Sequence, residues 1–410
     1  SESAAYRAAA ALAFASVQDT AASPFLGDLL LEDPDEHVRA SAAFALGQTG
    51  GTAAVNALIP ALRDTARGVI REVLEALGKT IQPPDLQILH RYAHTDTVAQ
   101  EGLCWAFYRL GTRGLADSLI SLRASGFLNS KSVLVRKAAA QFFSRTKEAK
   151  HIDGSLLEIA AKEDPSPEVR MAAARGLRHL GLAGASEVVE HVLRHEKDYR
   201  VRCNALRALA RFGGVQVKKM TFNALRDPNV NVRITASEQL QPDAALISDI
   251  RLIIKEETNW RVRANLYGLL LSDGADSSLI NDILRAYNAA TSDYEKAGLI
   301  GAMSGSGELL THVVAQVDLA QAPVVRTAAL QAIVRLNQKE EFKTEGQRFL
   351  EIYKKAITSG DPVLPGIASN ALMDPTLEFK KIIKEIKFLK EARSKLKLPE
   401  DIETIRPLDR

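Results

Sequence analysis

The chain has 410 residues, 46% of them hydrophobic but only 6% aromatic, and a formal net charge of +3. That apolar content is enough for a large core, and the near-neutral balance lacks the basic excess expected of a nucleic-acid binder. The two cysteines, Cys104 and Cys203, fall inside helical patterns as packed core residues rather than as a disulfide framework, and no apolar run reaches the ~18 residues of a membrane span.

From the N-terminus onward, one pattern returns. A turn with Asp-Pro or a polar equivalent precedes Val-Arg, then a small-residue helix that often ends in Leu-Gly. It is clearest at Asp33-Pro34, Val38-Arg39, Ala42-Ala43 and Leu46-Gly47. It recurs at Asp164-Pro165, Val169-Arg170 and Leu177, and at Asp227-Pro228, Val232-Arg233 and Leu240. Further copies open at Val135-Arg136, Val201-Arg202, Val262-Arg263 and Val325-Arg326. Aligned on the arginine, the copies stand at Arg7, Arg39, Arg71, Gln100, Arg136, Arg170, Arg202, Arg233, Arg263, Lys296, Arg326 and Pro365. The steps run from 29 to 39 residues around a period near 32, which fits two helices with tight turns.

The spacing gives the reason for the fold. Proline loses no useful N–H at the start of a helix, and aspartate can cap the first turn. Valine begins an apolar stripe at offsets four, five and eight, as in Val38, Ala42, Ala43 and Leu46, which is one helical face. A single hairpin cannot bury that stripe, so repeats must stack. The expected fold is all-α: a right-handed α-α superhelix of 11–12 hairpins over residues 1–375.

The Asp-Pro-x-x-x-Val-Arg-x-x-Ala core resembles HEAT repeats of the short bacterial kind. The resemblance implies that the arginines form a ladder with acidic groups of adjacent repeats, the alternative being an anion site. The segments ALAFASVQDTAASPFL (11–26), RASAAFALGQTGG (39–51), REVLEALGK (71–79) and KLKLPEDIET (395–404) are similar, more narrowly, to the repeat region preceding the catalytic domain of bacterial cyclophilin-type peptidyl-prolyl isomerase fusion proteins. That likeness implies a non-catalytic half of a larger, exported or periplasmic isomerase with protein clients as partners. It would also account for a start at Ser1 rather than Met, with a leader removed. The residues present carry no cyclophilin active-site pattern, so no catalytic residue is transferred.

Other chemistry finds little support. There is no phosphate loop, nucleophile elbow or HExxH; Gly301 to Gly307 reads as a loop between hairpins. The pairs His90/His94 and His191/His195 have helical i, i+4 spacing but no third ligand by spacing, so neither metal nor cofactor is expected. His195-Glu196 is the single His-Glu dipeptide, unlike HEAT-type di-iron hydroxylases, which carry several.

Binding surfaces offer more. Offset six should face solvent along the inner wall, in a column read as Phe44, Glu75, Cys104, Gln141, Arg175, Arg207, Glu238, Gly268 and Gln331. Arg175 and Arg207, with His179 and Arg211 one turn further on, make a basic cluster that could hold a phosphate or an acidic peptide, or be an ordinary solvated face. A second patch gathers Trp105, Phe107, Tyr108, Phe142 and Phe143. Trp105 and Phe142 either fill an irregular junction or form a hydrophobic docking pocket. Residues 376–398 carry eight Lys or Arg against three Glu beside an apolar side, and read as a basic amphipathic cap on the last repeat or as a membrane-surface helix. Residues 399–410 read as an extended tail or linker to a further domain.

The functional expectation is a non-catalytic protein-binding scaffold. The competing readings are a HEAT-like lyase or chaperone handling a small ligand or chromophore, which would need a pocket of acidic and cysteine groups, and a HEAT-type DNA-binding protein, which would need a long basic groove. Residues 1–375 carry no net charge, which speaks against the latter.

Overall fold

The computed structural model describes residues 3–377, apart from 148, 150, 153 and 319. The expected cap at 376–398 therefore lies outside the described residues from 378 onward, as does the tail. The chain divides into two compact units, Ser1–Met220 and Thr221–Arg410.

In the first unit the α-helices are α1 (Ala4–Val17), α2 (Ser23–Glu32), α3 (Glu36–Thr49), α4 (Gly51–Ala61), α5 (Arg67–Thr80), α6 (Gln87–Arg91) and α7 (Thr97–Arg113). They continue as α8 (Ser118–Phe127), α9 (Val133–Arg145), α10 (Gly154–Glu163), α11 (Pro167–Gly176), α12 (Leu182–His195) and α13 (Tyr199–Leu209), with α14 (Val215–Asn223) running across the division. The odd-numbered helices pack each on the next, from α1 through α13. The even-numbered ones form a second layer in which α2 packs on α4 and α10 on both α8 and α12. The second unit repeats the arrangement with α15 (Val230–Gln239), α16 (Ile247–Glu256), α17 (Trp260–Asp273), α18 (Ser277–Ala289), α19 (Asp293–Met303), α20 (Leu310–Ala315), α21 (Pro323–Asn337), α22 (Gly346–Ile357) and α23 (Leu364–Met373). There α15, α17, α19, α21 and α23 pack in succession. All twelve aligned positions, Arg7 to Pro365, fall in odd-numbered helices.

Small residues set the spacing of the odd-numbered layer. A Cβ on Gly47 would lie 2.9 Å from the Cα of Ala76, and one on Gly78 would lie 2.5 Å from the Cα of Ala106. The apolar stripe is buried as expected: Val38, Ala42, Ala43 and Leu46 are fully inaccessible, as are Val169, Val201 and Val232. Cys104 and Cys203 lie buried in the core outside any disulfide, and burial pushes the Cys104 thiol far up.

The ladder is present, with one change in who does what. Arg39 donates from Nε to Asp64 at 2.7 Å and from Nη2 at 3.0 Å, while its Nη1 bonds the Asp33 carbonyl at 2.9 Å. Asp64 also accepts the Ala66 N–H at 2.8 Å. Arg7 with Asp33, Arg136 with Asp164, Arg170 with Glu196 and, in the second unit, Arg233 with Glu257 follow the same scheme. The aspartate of Asp-Pro is therefore the ladder acceptor and not the cap. Capping falls two residues later, where Asp35 accepts from the N–H groups of His37 and Val38 and Asn229 from that of Asn231.

Burial opposes ionisation of Asp64, Glu196 and Glu257, but their bonds from arginine and backbone N–H outweigh it and hold each pKa below the usual carboxylate value. A depressed folded pKa contributes stability above the unfolded value, near 4, and loses it as pH falls through the folded one. The ladder's own contribution to thermal stability should accordingly be flat from about pH 8 to 5 and fall steeply below about pH 4, as the difference between the melting series of the native chain and of an Asp64 variant in constant ionic strength would show.

Candidate functional site

The odd-numbered helices of the first unit present two parallel rows of accessible side chains. Taking the buried residue at the valine position as origin (Val38, Val69, Ala99, Val135, Val169 and Val201), offset six holds Phe44, Glu75, Trp105, Gln141, Arg175 and Arg207. Offset ten holds Gln48, Lys79, Arg109, Arg145, His179 and Arg211. Cys104 does not belong to the accessible row. In α7 the buried origin is Ala99, not the exposed Val98, so Cys104 drops to the core and Trp105 takes its place.

In the first three helices, each accessible charge is answered across the rows. Lys79 sits 4.8 Å from the centre of the Phe44 ring and 3.7 Å from Glu75. Arg109 reaches back to Glu75 at 2.6 Å and lies 5.3 Å from the Tyr108 ring centre. Trp105 donates its indole N–H to Glu101 at 3.2 Å and stands edge-on to Tyr108 at 5.5 Å.

From α9 onward Arg145, Arg175, Arg178 and Arg211 have no such answer among the described residues. Arg145, Arg207 and Arg211 are exposed, and Arg175 and Arg178 half-buried, all near the C-terminal ends of α9, α11 and α13. Burial lowers the Arg175 pKa, with Arg145 and Arg207 adding to it. Arg178 is lowered by burial and then by Arg175, Arg211 and Arg145. Among the described residues, no carboxylate lies within 4.0 Å of the guanidinium nitrogens of Arg145, Arg175, Arg178 or Arg211. The negative ends of helix dipoles, which favour cations in the last turn, offset part of the mutual repulsion. Arg178 is held in place by its bond to the Thr146 carbonyl.

Of the predicted cluster, Arg175, Arg207 and Arg211 stand together as the spacing indicated. His179 is beside them but contributes no charge near neutrality. Its Nε2 lies 3.0 Å from the Phe143 carbonyl oxygen, and burial, with Arg178 and Arg211, lowers its pKa to about 4. The folded state thus resists protonation that the unfolded chain accepts near pH 6.5, so this group subtracts stability progressively from about pH 6.5 down to about 4. A His179→Gln variant should lose that component, and NMR titration should show an imidazole still neutral at pH 5.5.

Arg145 and Arg178 were missed. Arg145 was within reach, since it continues the row of His179 and Arg211 back by one repeat. Arg178 joins through the short 3-10 turn Leu177–His179, which the helical pattern did not reveal.

The aromatic patch separates into two parts. Phe142 is completely buried, as are Phe107 and Phe143; Phe142 stands edge-on to Phe143 at 4.9 Å. It fills the junction between helices and is not available to dock a partner. Trp105 and Tyr108 remain partly accessible.

Neither histidine pair gathers a third metal-ligating group among the described residues. α6 ends at Arg91, so His94 leaves the helix that carries His90. His191 and His195 do share α12, with ring centres 4.8 Å apart, on the rim of an open cavity of about 300 Å³. Among the described residues, no group of three His, Cys, Asp or Glu is arranged to hold a metal ion, and no helix is long and apolar enough to cross a membrane. The glycine-rich stretch begins inside α19 and becomes a turn only after Met303.

Comparison with known proteins supports the architecture. The family model for HEAT repeats matches residues 1–78, 23–106 and 154–241. Yeast importin-β (Kap95p) is 13% identical, with 95% of this chain aligned to 62% of its length at a TM-score of 0.57. A second Kap95p structure, concerned with the switch loops of RanGDP, is 12% identical, with 94% of this chain aligned to 60% of that one at a TM-score of 0.51. This chain spans less than two thirds of these structures, and at such identities the likeness is one of fold. No curated protein sequence matches the chain. The chain is an all-α solenoid, with HEAT repeats over the matched segments.

Proposed function

We propose that the chain is a non-catalytic protein-binding scaffold whose first unit engages its partner through the arginines of α9, α11 and α13. The observation that carries this reading is the break in charge pairing. Along the same two rows, Lys79 and Arg109 find Glu75, whereas Arg145, Arg175 and Arg211, with Arg178 beside them, find no carboxylate among the described residues. Guanidinium groups held side by side with no carboxylate partner among the described residues form charge-assisted bonds to carboxylates readily. Carboxylate-rich protein surfaces are the ligand class they suit. The solved Kap95p structure named with RanGDP offers a solenoid of similar fold in contact with a protein, and it supports no more than that.

Charge reversal tests the reading. Arg145→Glu combined with Arg175→Glu should lower affinity for a partner recovered by affinity capture at least tenfold at about 0.1 M salt. Unchanged affinity, with the helical circular dichroism intact, would sink the assignment.

The finer part of the proposal concerns the parent protein. The similarity of residues 11–26, 39–51, 71–79 and 395–404 to the repeat region of bacterial cyclophilin-type isomerases supports a role in presenting protein clients to an isomerase, in an exported protein. Reading the open reading frame on both sides of this sequence decides it: an isomerase domain after Arg410 is expected, and a stop codon there would end that part of the proposal.

A further inference from the structure

The arginine cluster does not stand alone on its surface. One helix away in the same layer, Trp105 occupies offset six of α7, where the neighbouring helices carry Glu75 and Gln141. Its indole N–H is tied to Glu101 and its ring rests against the edge of Tyr108. An aromatic side chain fixed in this way offers contact area with little rotamer freedom left to lose on binding.

The register also joins the two features. Lys79 of α5 leans back over Phe44 of α3, and Arg109 of α7 leans back to Glu75 of α5, so each offset-ten cation approaches the offset-six residue of the preceding helix. By the same register Arg145 of α9 holds the offset-ten position that follows Trp105 of α7, on the next helix of the layer. The accessible surface thus changes character along the first unit. Its charges are mutually neutralised from α3 to α7, and it is aromatic at Trp105 and Tyr108 and cationic from α9 to α13.

We infer that this composite strip binds an extended protein segment carrying one aromatic or large apolar residue next to a run of carboxylates. The inference rests on the proposed use of the arginine cluster as a protein contact, and adds to it the aromatic anchor and the order of the two parts. Neighbouring helices in a layer lie about 8–10 Å apart. The strip from α7 to α13 therefore spans about 25–30 Å, which an extended segment of about eight or nine residues covers at ~3.3 Å each. The anchor sits at one end and the carboxylates meet the arginines of the other three helices. A nucleic acid fits less well. Its evenly charged backbone would pass from the arginines onto the flank that carries Glu75 and Glu101, whereas a peptide places its charge only where the arginines are.

Fluorescence anisotropy with synthetic peptides tests this on the full chain. One peptide has Trp, a two-residue Ser-Gly spacer and six Glu; a second has the reverse order; a third has Ala for Trp. In one of the two directions, the Trp peptide should bind at least fivefold tighter than the Ala peptide. Trp105→Ala should erase that difference while leaving the Ala peptide's affinity unchanged. Arg145→Gln with Arg211→Gln, both at exposed positions that leave packing untouched, should weaken all three peptides about tenfold or more.

Equal binding of the Trp and Ala peptides in both directions would overturn the composite strip and leave the arginine site standing. Peptide binding that ignores the arginine substitutions, or no binding at all, would overturn both. A single-stranded RNA of equal charge that binds as tightly as the best peptide, and loses affinity in the arginine variant, would overturn the peptide assignment in favour of nucleic acid.

Discussion

Gly78→Ala is expected to destabilise the packing of α5 on α7 by about 3 kcal/mol, although alanine is the better helix former by up to about 1 kcal/mol. A Cβ at this position would stand 2.5 Å from the Cα and 2.6 Å from the carbonyl oxygen of Ala106, and both are backbone atoms that no side-chain rotation can move aside. The facing contact is equally tight, since a Cβ on Gly102 would meet the Cα of Arg71 at 2.7 Å. The two glycines bring α5 and α7 together at two points, so spreading one contact pries at the other. Gly68→Ala, in the first turn of the same helix and with open space around the new methyl group, should instead raise stability by about 0.5 kcal/mol. Hydrogen exchange of the α5 and α7 amides separates the two outcomes. Equal protection in both variants would show that the layers are not spaced by these glycines.

The second large effect falls on the ladder. Asp64→Ala should cost about 3 kcal/mol, because it leaves Arg39 without its bidentate acceptor and the Ala66 N–H without a partner in a position where both ionic groups are largely covered. The paired replacement Arg39→Met with Asp64→Leu should recover most of that loss, since no uncompensated charge is then left in the turn. A double-mutant cycle read by thermal unfolding gives the coupling directly. If Asp64→Ala alone is neutral, the ladder is decoration on a stack held by its apolar stripe.

These two expectations also mark what could be read from the residues alone. The twelve aligned positions, the stripe of Val38, Ala42, Ala43 and Leu46, and the stacking they demand were all legible, because a period near 32 with helical spacing leaves few packings open. The pairing of arginine with acid came through resemblance. Its geometry did not, because Asp33 precedes a helix and looks like a cap until the structure shows it receiving Arg7 while Asp35 does the capping.

The site was half legible. Offset counting found Arg175, Arg207 and Arg211, but it misplaced Cys104 by one residue because α7 lacks the Val-Arg pair that fixes the origin. It could not tell that His179 would be neutral or Phe142 buried. Both depend on what the adjacent helix places over them, here the Phe143 carbonyl of α9 over His179 and Gly111 of α7 against the Phe142 ring. Such facts are properties of packing between repeats, and no single repeat contains them.

A protein partner seated on Arg145, Arg175 and Arg211, which meet no carboxylate among the described residues, should shield them from reagent. Arginine-selective chemical modification followed by mass spectrometry, with and without a captured partner, tests it most directly. The account predicts that Arg145, Arg175 and Arg211 react in the free protein and are protected in the complex, while Arg194 on the far layer reacts equally in both. Protection at Arg194 or elsewhere with Arg145, Arg175 and Arg211 still reactive would contradict it.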